Sequence, residues 1–192
     1  MLKRALLAVA LSAVFTPAFA DPVTYQLDPA HTNVVAGWSH LGFSNPVMHF
    51  GDAEGTLVYD AENVGASSVT VTLPVAGLDG FTDAFNQHLL SPELFDAAQY
   101  PEITFASTSV EATGDGKLKI TGDLTIKGIT KAVVLDATLN GAGPHPMAGR
   151  EAIGFDAVAT VKRSEFGLGY AVPAVSDEIE LRITTEGLVP EA

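Results

Sequence analysis

The chain has 192 residues, with 10 basic against 23 acidic side chains and no cysteine. A net charge of −13 without clustered Lys or Arg excludes phosphate backbones and anionic headgroup surfaces as partners. The lack of cysteine removes disulfides and a lipid-attached N-terminus.

The first twenty residues read as an export signal. Lys3 and Arg4 give the positive start, residues 5–15 are apolar, and Ala18-Phe19-Ala20 forms a small-x-small cleavage site before Asp21. The apolar run is shorter than the roughly 20 residues a membrane span needs. The expected products are a signal peptide at 1–20, cleaved after Ala20, and a single soluble domain at 21–192. In a bacterium with two membranes that domain is periplasmic. Without Lys3 and Arg4, eight basic residues face 23 acidic ones, a mature charge of −15.

Along the mature chain, short segments alternate apolar and polar residues with the period of a strand. After residues 24–27, "TNVVAGWSHLGF" puts Val34, Ala36, Trp38 and His40 on one face. Residues 55–59, a turn at 60–63, and "SVTVTLPV" follow. Phe81, Phe85 and Leu89 then recur every four residues, which predicts a short helix. Ser91-Pro92-Glu93 has the chemistry of a second helical start, with Leu94 and Phe95 as its apolar side. Tyr100 before Pro101 favours extended backbone leading into "EITFAS". "KLKITGDLTI", "ITKAVVLDATL", "AIGFDAVATVKR" and "EIELRITTEGL" complete the set. Tight connections are expected at 114–117 and at Lys127-Gly128, and a longer loop at 141–149. The count is about eight or nine antiparallel strands in one domain, which suits either a sandwich or an up-and-down barrel. The helical stretch near 81–98 either plugs a filled core or walls a cavity.

Six ordered segments resemble the YceI family of exported, lipocalin-like proteins associated with polyisoprenoids and other long-chain lipids. They are "YQLDPAHTNV" (25–34), "SHLGFS" (39–44), "HLLSPELFDAAQYPEITFASTSV" (88–110), "GDLTIKGITKAVVL" (122–135), "GFDAVATVKRSEFGL" (154–168) and "SDEIELRI" (176–183). The resemblance covers nearly all of the mature chain. It implies a single extended antiparallel β-barrel with a long apolar cavity, helical material beside it, and no established catalytic chemistry. Family members often carry Arg-Asp just before the His-Leu of the helical segment, where this chain has Asn86 and Gln87. That departure favours a neutral headgroup, as in an isoprenoid quinone or fatty amide, over a prenyl diphosphate.

The expected ligand-binding set is Val34, Ala36, Trp38, His40, Phe85, Leu89, Phe95, Phe105, Ile126, Leu135, Phe155 and Phe166. If the face of Val34 points inward, Trp38 and His40 point into the barrel, where a buried His is either a satisfied core group or a polar anchor. Arg163 is expected to pair with an acid, with Phe166 packing and Gly167 turning. His31, His40, His49, His88 and His145 show no i, i+2 or i, i+4 metal spacing, so no metal is expected from spacing; residues distant in sequence are outside that test. No nucleophile elbow or phosphate-cradling loop is present, so catalytic residues are not expected. The only bound cofactor-like molecule expected is the polyisoprenoid or quinone-like lipid itself, with a homodimer as a further option. The rival reading is a stress-related interaction protein with a filled core.

Overall fold

The computed structural model describes residues 21–191, so the expected signal peptide lies outside the described residues. Alternation is clearest in β8 (Lys117–Ile126) and β10 (Glu151–Lys162). Leu118, Ile120 and Leu124 of β8 face inward while Lys117, Lys119 and Asp123 are exposed; Ile153, Phe155, Ala157 and Val161 of β10 oppose Asp156, Val158 and Lys162 in the same way. Successive strand side chains point to opposite faces, so this spelling gives one apolar and one solvated surface.

β7 (Glu102–Gly114), β8, β9 (Ile129–Pro144), β10 and β11 (Glu178–Leu188) form an antiparallel meander. Asp115-Gly116 and Lys127-Gly128 make the tight turns; Lys127 and Gly128 have φ of 51° and 72°, the backbone that suits a twisted two-residue hairpin. β9 is longer than its sequence implies. Gly141 pairs with Gly154 and Pro144 with Glu151, so the loop expected at 141–149 shrinks to 145–150. A ladder to β10 carries those glycines, overriding their poor strand propensity.

The other three staves are each broken in two. β1 (Val23–Leu27) and β2 (Asn33–Gly37) both run antiparallel to β11, with Leu27 opposite Gly187 and Asn33 opposite Thr184. β3 (Val47–Phe50) pairs with β2 and β4 (Glu54–Tyr59) with β1; β5 (Ser68–Pro74) pairs with β4 and β6 (Leu78–Asp79) with β3. β5 then meets β7, and β11 returns to β1. Counting each broken pair as one, eight antiparallel staves close into a barrel, and closure leaves few edges to template aggregation. The fold is a barrel rather than a sandwich. The strand expected to run on through 38–43 stops at Gly37. A tight turn replaces it: His40 N–H donates to Ser44 O at 2.8 Å, and Leu41 and Gly42 have φ of 55° and 73°.

Among the described residues the one α-helix is α1 (Asp83–Leu90), capped by Thr82, whose hydroxyl accepts the Phe85 N–H at 3.3 Å. Leu89 is buried and Phe85 half-buried on its inner face. Phe81 precedes the helix and is 64% exposed, so it leaves the face it was expected to share. The second helical start does not propagate. Phe95 and Ala97 donate back to the Leu89 and Leu90 carbonyls at 3.0 and 3.1 Å, and Asp96 has φ of 48°. The chain thereby satisfies the open carbonyls at the C-terminus of α1, leaving 91–100 as turns with Phe95 buried. Among the described residues no helix is long and apolar enough to cross a membrane.

Candidate ligand cavity

The barrel interior holds a chamber of about 150 Å³, measured as space open to the centre of a water molecule, with a wall almost wholly of carbon. At roughly 10–15 Å³ per water on that measure, it has room for about ten water-sized groups. Val34, Phe105, Leu135 and Phe155 of the expected set line it, with Val71 and Ile183 among the residues added by the structure. Three hydroxyls at the wall are engaged with the protein: those of Thr32 and Thr185 bond each other at 3.0 Å, and Ser67 Oγ accepts the Asp60 N–H at 3.0 Å. Gly122 shapes the chamber, because a Cβ there would collide with the Phe105 ring and the Ala106 carbonyl.

A second, larger pocket of about 430 Å³ lies at the end of the barrel that carries α1. Trp38, His40, Phe85, Leu89 and Phe95 line this outer pocket. Trp38 and Phe85 rings stand 5.9 Å apart, tilted by 38°. His40 is therefore no core histidine; it is exposed, on the turn that follows β2. His88 of α1 meets Tyr170 edge-on at 5.4 Å and comes within 3.9 Å of Glu93. The two cavities share no lining residue. Between Val34 and Trp38 on the same face, Ala36 is only 1% exposed, within a packed cluster that includes Phe50, Phe95 and Ile103. Phe95 meets Phe50 edge-on at 5.8 Å. This layer closes the interior between the chamber and the pocket. Ala36, Ile126 and Phe166 line neither of these two cavities: Ala36 and the 1%-exposed Phe166 are core, and Ile126 packs against that core half-buried.

One wall of the outer pocket is the segment 163–177, and Arg163 holds it. Its guanidinium does not seek an acid as expected. It donates to four backbone carbonyls: Ser176 at 2.8 Å, Tyr170 at 2.8 Å, Val175 at 2.9 Å, and Leu168. Burial lowers its pKa from that of a free guanidinium, with Asp177 opposing the shift. Asp177 instead accepts the Ser164 N–H and hydroxyl, each at 2.8 Å, and these bonds hold its carboxyl below the ordinary value. Phe166 packs and Gly167 turns with φ of 75°, as the sequence implied. Asn86, where relatives often place Arg, is structural: its Oδ1 accepts the Gly80 N–H at 2.6 Å and so closes the turn from β6 into α1.

Val71 was findable, because alternation in "SVTVTLPV" puts it on one face with Val69, Leu73 and Val75. His88 and Tyr170 were not, since each acquires its place only when α1 and the 163–177 segment face each other across the pocket.

A closed antiparallel barrel around a carbon-walled chamber defines the class of β-barrel proteins with an apolar interior cavity. Within that class, residues 25–187 match the model of the YceI-like domain, and the chain belongs to that family. Protein YceI of Escherichia coli O6:H1 is 36% identical over 190 residues, which cover 97% of this chain and 98% of the relative. The crystal structure of Burkholderia cenocepacia BcnA superposes with a TM-score of 0.76 at 26% identity, covering 83% of this chain and 98% of that one. A polyisoprenoid binding domain from Saccharophagus degradans shares the fold, with a TM-score of 0.67 at 11% identity, over 86% of this chain and 98% of that one.

Proposed function

We propose that the protein binds a long-chain apolar ligand, a polyisoprenoid, isoprenoid quinone or fatty amide, and carries or stores it in the periplasm. The observation that carries this reading is the carbon wall of the inner chamber. The chain of the ligand occupies that chamber, and the outer pocket, where His40, His88 and Tyr170 offer the polar edge, receives its headgroup when the packed layer between the two parts. Burying about ten methylenes at ~0.8 kcal/mol each supplies on the order of 8 kcal/mol. That is enough to offset much of the cost of association with little headgroup recognition, so selectivity among chain lipids is broad. A neutral headgroup is favoured, because the guanidinium at the pocket is already committed to backbone carbonyls and Asn86 to its turn. The name of the Saccharophagus domain, which shares this fold, points the same way for the ligand class.

The test is mass spectrometry of an organic extract of protein purified from its native host. A stoichiometric prenyl, quinone or fatty amide species is the expected result and identifies the headgroup. An empty extract, together with no uptake of added chain lipids, refutes the carrier reading in favour of a filled-core interaction protein.

A further inference from the structure

On the outside of the barrel, three residues from opposite ends of the chain meet. The turn between β1 and β2 carries Asp28 and His31, whose Nδ1 lies 2.7 Å from Asp28 Oδ2. The pairing of Leu27 with Gly187, and the bond from Asp28 N–H to the Glu186 carbonyl at 2.8 Å, bring the outward side chain of Glu186 beside them. One donor atom from each of Asp28, His31 and Glu186 lies within 4.8 Å of the others.

Two of these groups are held by neighbours. Asp28 Oδ1 accepts the Ala30 N–H at 2.9 Å, which leaves Oδ2 directed at the cluster. Glu186 Oε1 sits 3.3 Å from His145 Nε2. His145 Nδ1 accepts the Met147 and Ala148 N–H groups at 3.2 and 2.9 Å, so in the neutral ring the proton is on Nε2, the nitrogen that faces Glu186. His145 thus flanks the cluster with a protonated nitrogen and offers no fourth ligand.

We propose that Asp28, His31 and Glu186 form a site for a divalent cation of the zinc type, with water completing the coordination. Two carboxylates balance the cation's charge, and the imidazole selects against magnesium and calcium, which prefer oxygen ligands alone. Ligand bonds of about 2.0–2.2 Å set tetrahedral donors about 3.4 Å apart, so on binding the Asp28–His31 hydrogen bond opens from 2.7 Å, its proton leaves to solvent, and rotation of the exposed His31 side chain brings the three donors to one spacing. The chemistry is unrelated to lipid binding, yet the position is not neutral. The turn ends on Thr32, which bonds Thr185 at the wall of the inner chamber, so a bound cation ties β11 to the β1–β2 turn and braces that wall from outside.

The experiment uses untagged full-length mature protein, stripped with EDTA and dialysed, titrated with zinc chloride by calorimetry and followed by thermal denaturation. One zinc per chain is expected, with a rise in Tm of about 5–10 °C at a hundredfold excess over Kd and none with magnesium. His31→Ala and Glu186→Gln are each expected to weaken binding at least tenfold, while His49→Gln, on β3, leaves it unchanged. Circular dichroism of the apo variants confirms folding independently of zinc. Absence of binding by the wild type at millimolar zinc, or equal binding by both folded cluster variants, overturns the site.

Discussion

Arg163→Lys tests whether one guanidinium holds the wall of the outer pocket. The native side chain donates to four carbonyls spread over residues 168–176, and Arg163 is only 9% exposed. Lysine keeps the charge but offers a compact ammonium in place of the planar fork, so it reaches at most about two of those oxygens. Each lost bond to a charged donor is worth about 1.5–3 kcal/mol. Because the segment is partly open to water, which can re-satisfy freed carbonyls, the expected net loss is about 2–3 kcal/mol. That corresponds to a fall in Tm of roughly 4–12 °C for a domain of this size. The assay is urea unfolding followed by circular dichroism, with the slope unchanged so that the midpoint reports stability alone. Headgroup-dependent binding should weaken as well, since Leu168, Tyr170 and Val175 are displaced together. A loss below about 0.5 kcal/mol would refute the argument and assign the cohesion of 163–177 to packing by Phe166.

Three further outcomes are expected. Leu135→Asn places an amide in the carbon-walled chamber, costing about 1–3 kcal/mol and reducing uptake of a fluorescent fatty-acyl probe; undiminished uptake by the folded variant removes Leu135 from the ligand path. Gly122→Val drives atoms into the Phe105 ring and an adjacent carbonyl, so stability falls by about 1–3 kcal/mol and probe capacity drops; unchanged stability and capacity would show that the ring does not rest on that glycine. Asp177→Asn flattens the acid limb of the stability curve. The native carboxyl is held below its ordinary value of 3.8 by Ser164, so its contribution is present above that pH and is lost as pH falls through the lower folded value. Its solvent exposure keeps the effect under about 1 kcal/mol. Parallel curves for variant and wild type between pH 5 and 2 would contradict it.

The meander of β7 to β11 was legible because each strand spells its two faces residue by residue, as Leu118, Ile120 and Leu124 do. The breaks in the first three staves were not. Nothing local in Asp28–Thr32 announces that β1 and β2 share β11 as partner; that register is set across the whole chain. The helix was legible in Phe85 and Leu89, but the Ser91 cap signal lost to backbone bonds that turned the chain back upon α1. The four chamber residues Val34, Phe105, Leu135 and Phe155 follow from alternation. Alternation could not reveal that Ala36 lies in a packed layer, so that Val34 and Trp38, on one face of the same stretch, serve different cavities. Arg163 was misread because an arginine's usual partner is a carboxylate, and its carbonyl ring exists only once the 163–177 segment is folded. The Asp28, His31 and Glu186 cluster was invisible for the simplest reason, that its members stand at opposite ends of the chain.

The packed layer around Ala36, Phe50 and Phe95 separates two quantities that a simple open cup would tie together. For the chain lipid proposed above, affinity would be set by how much chain the inner chamber hides from water, whereas the residence time would be set by how often the Phe50–Phe95 contact parts. Every 1.4 kcal/mol in that barrier changes the exchange rate tenfold without altering occupancy at equilibrium. Because Phe95 follows directly on α1 and bonds back to it, a contact that shifts the helix from outside moves the barrier. If the protein carries a lipid as proposed, a loaded molecule would retain it through dilution and discharge it on encounter, with selectivity exercised over where the lipid leaves rather than which lipid enters.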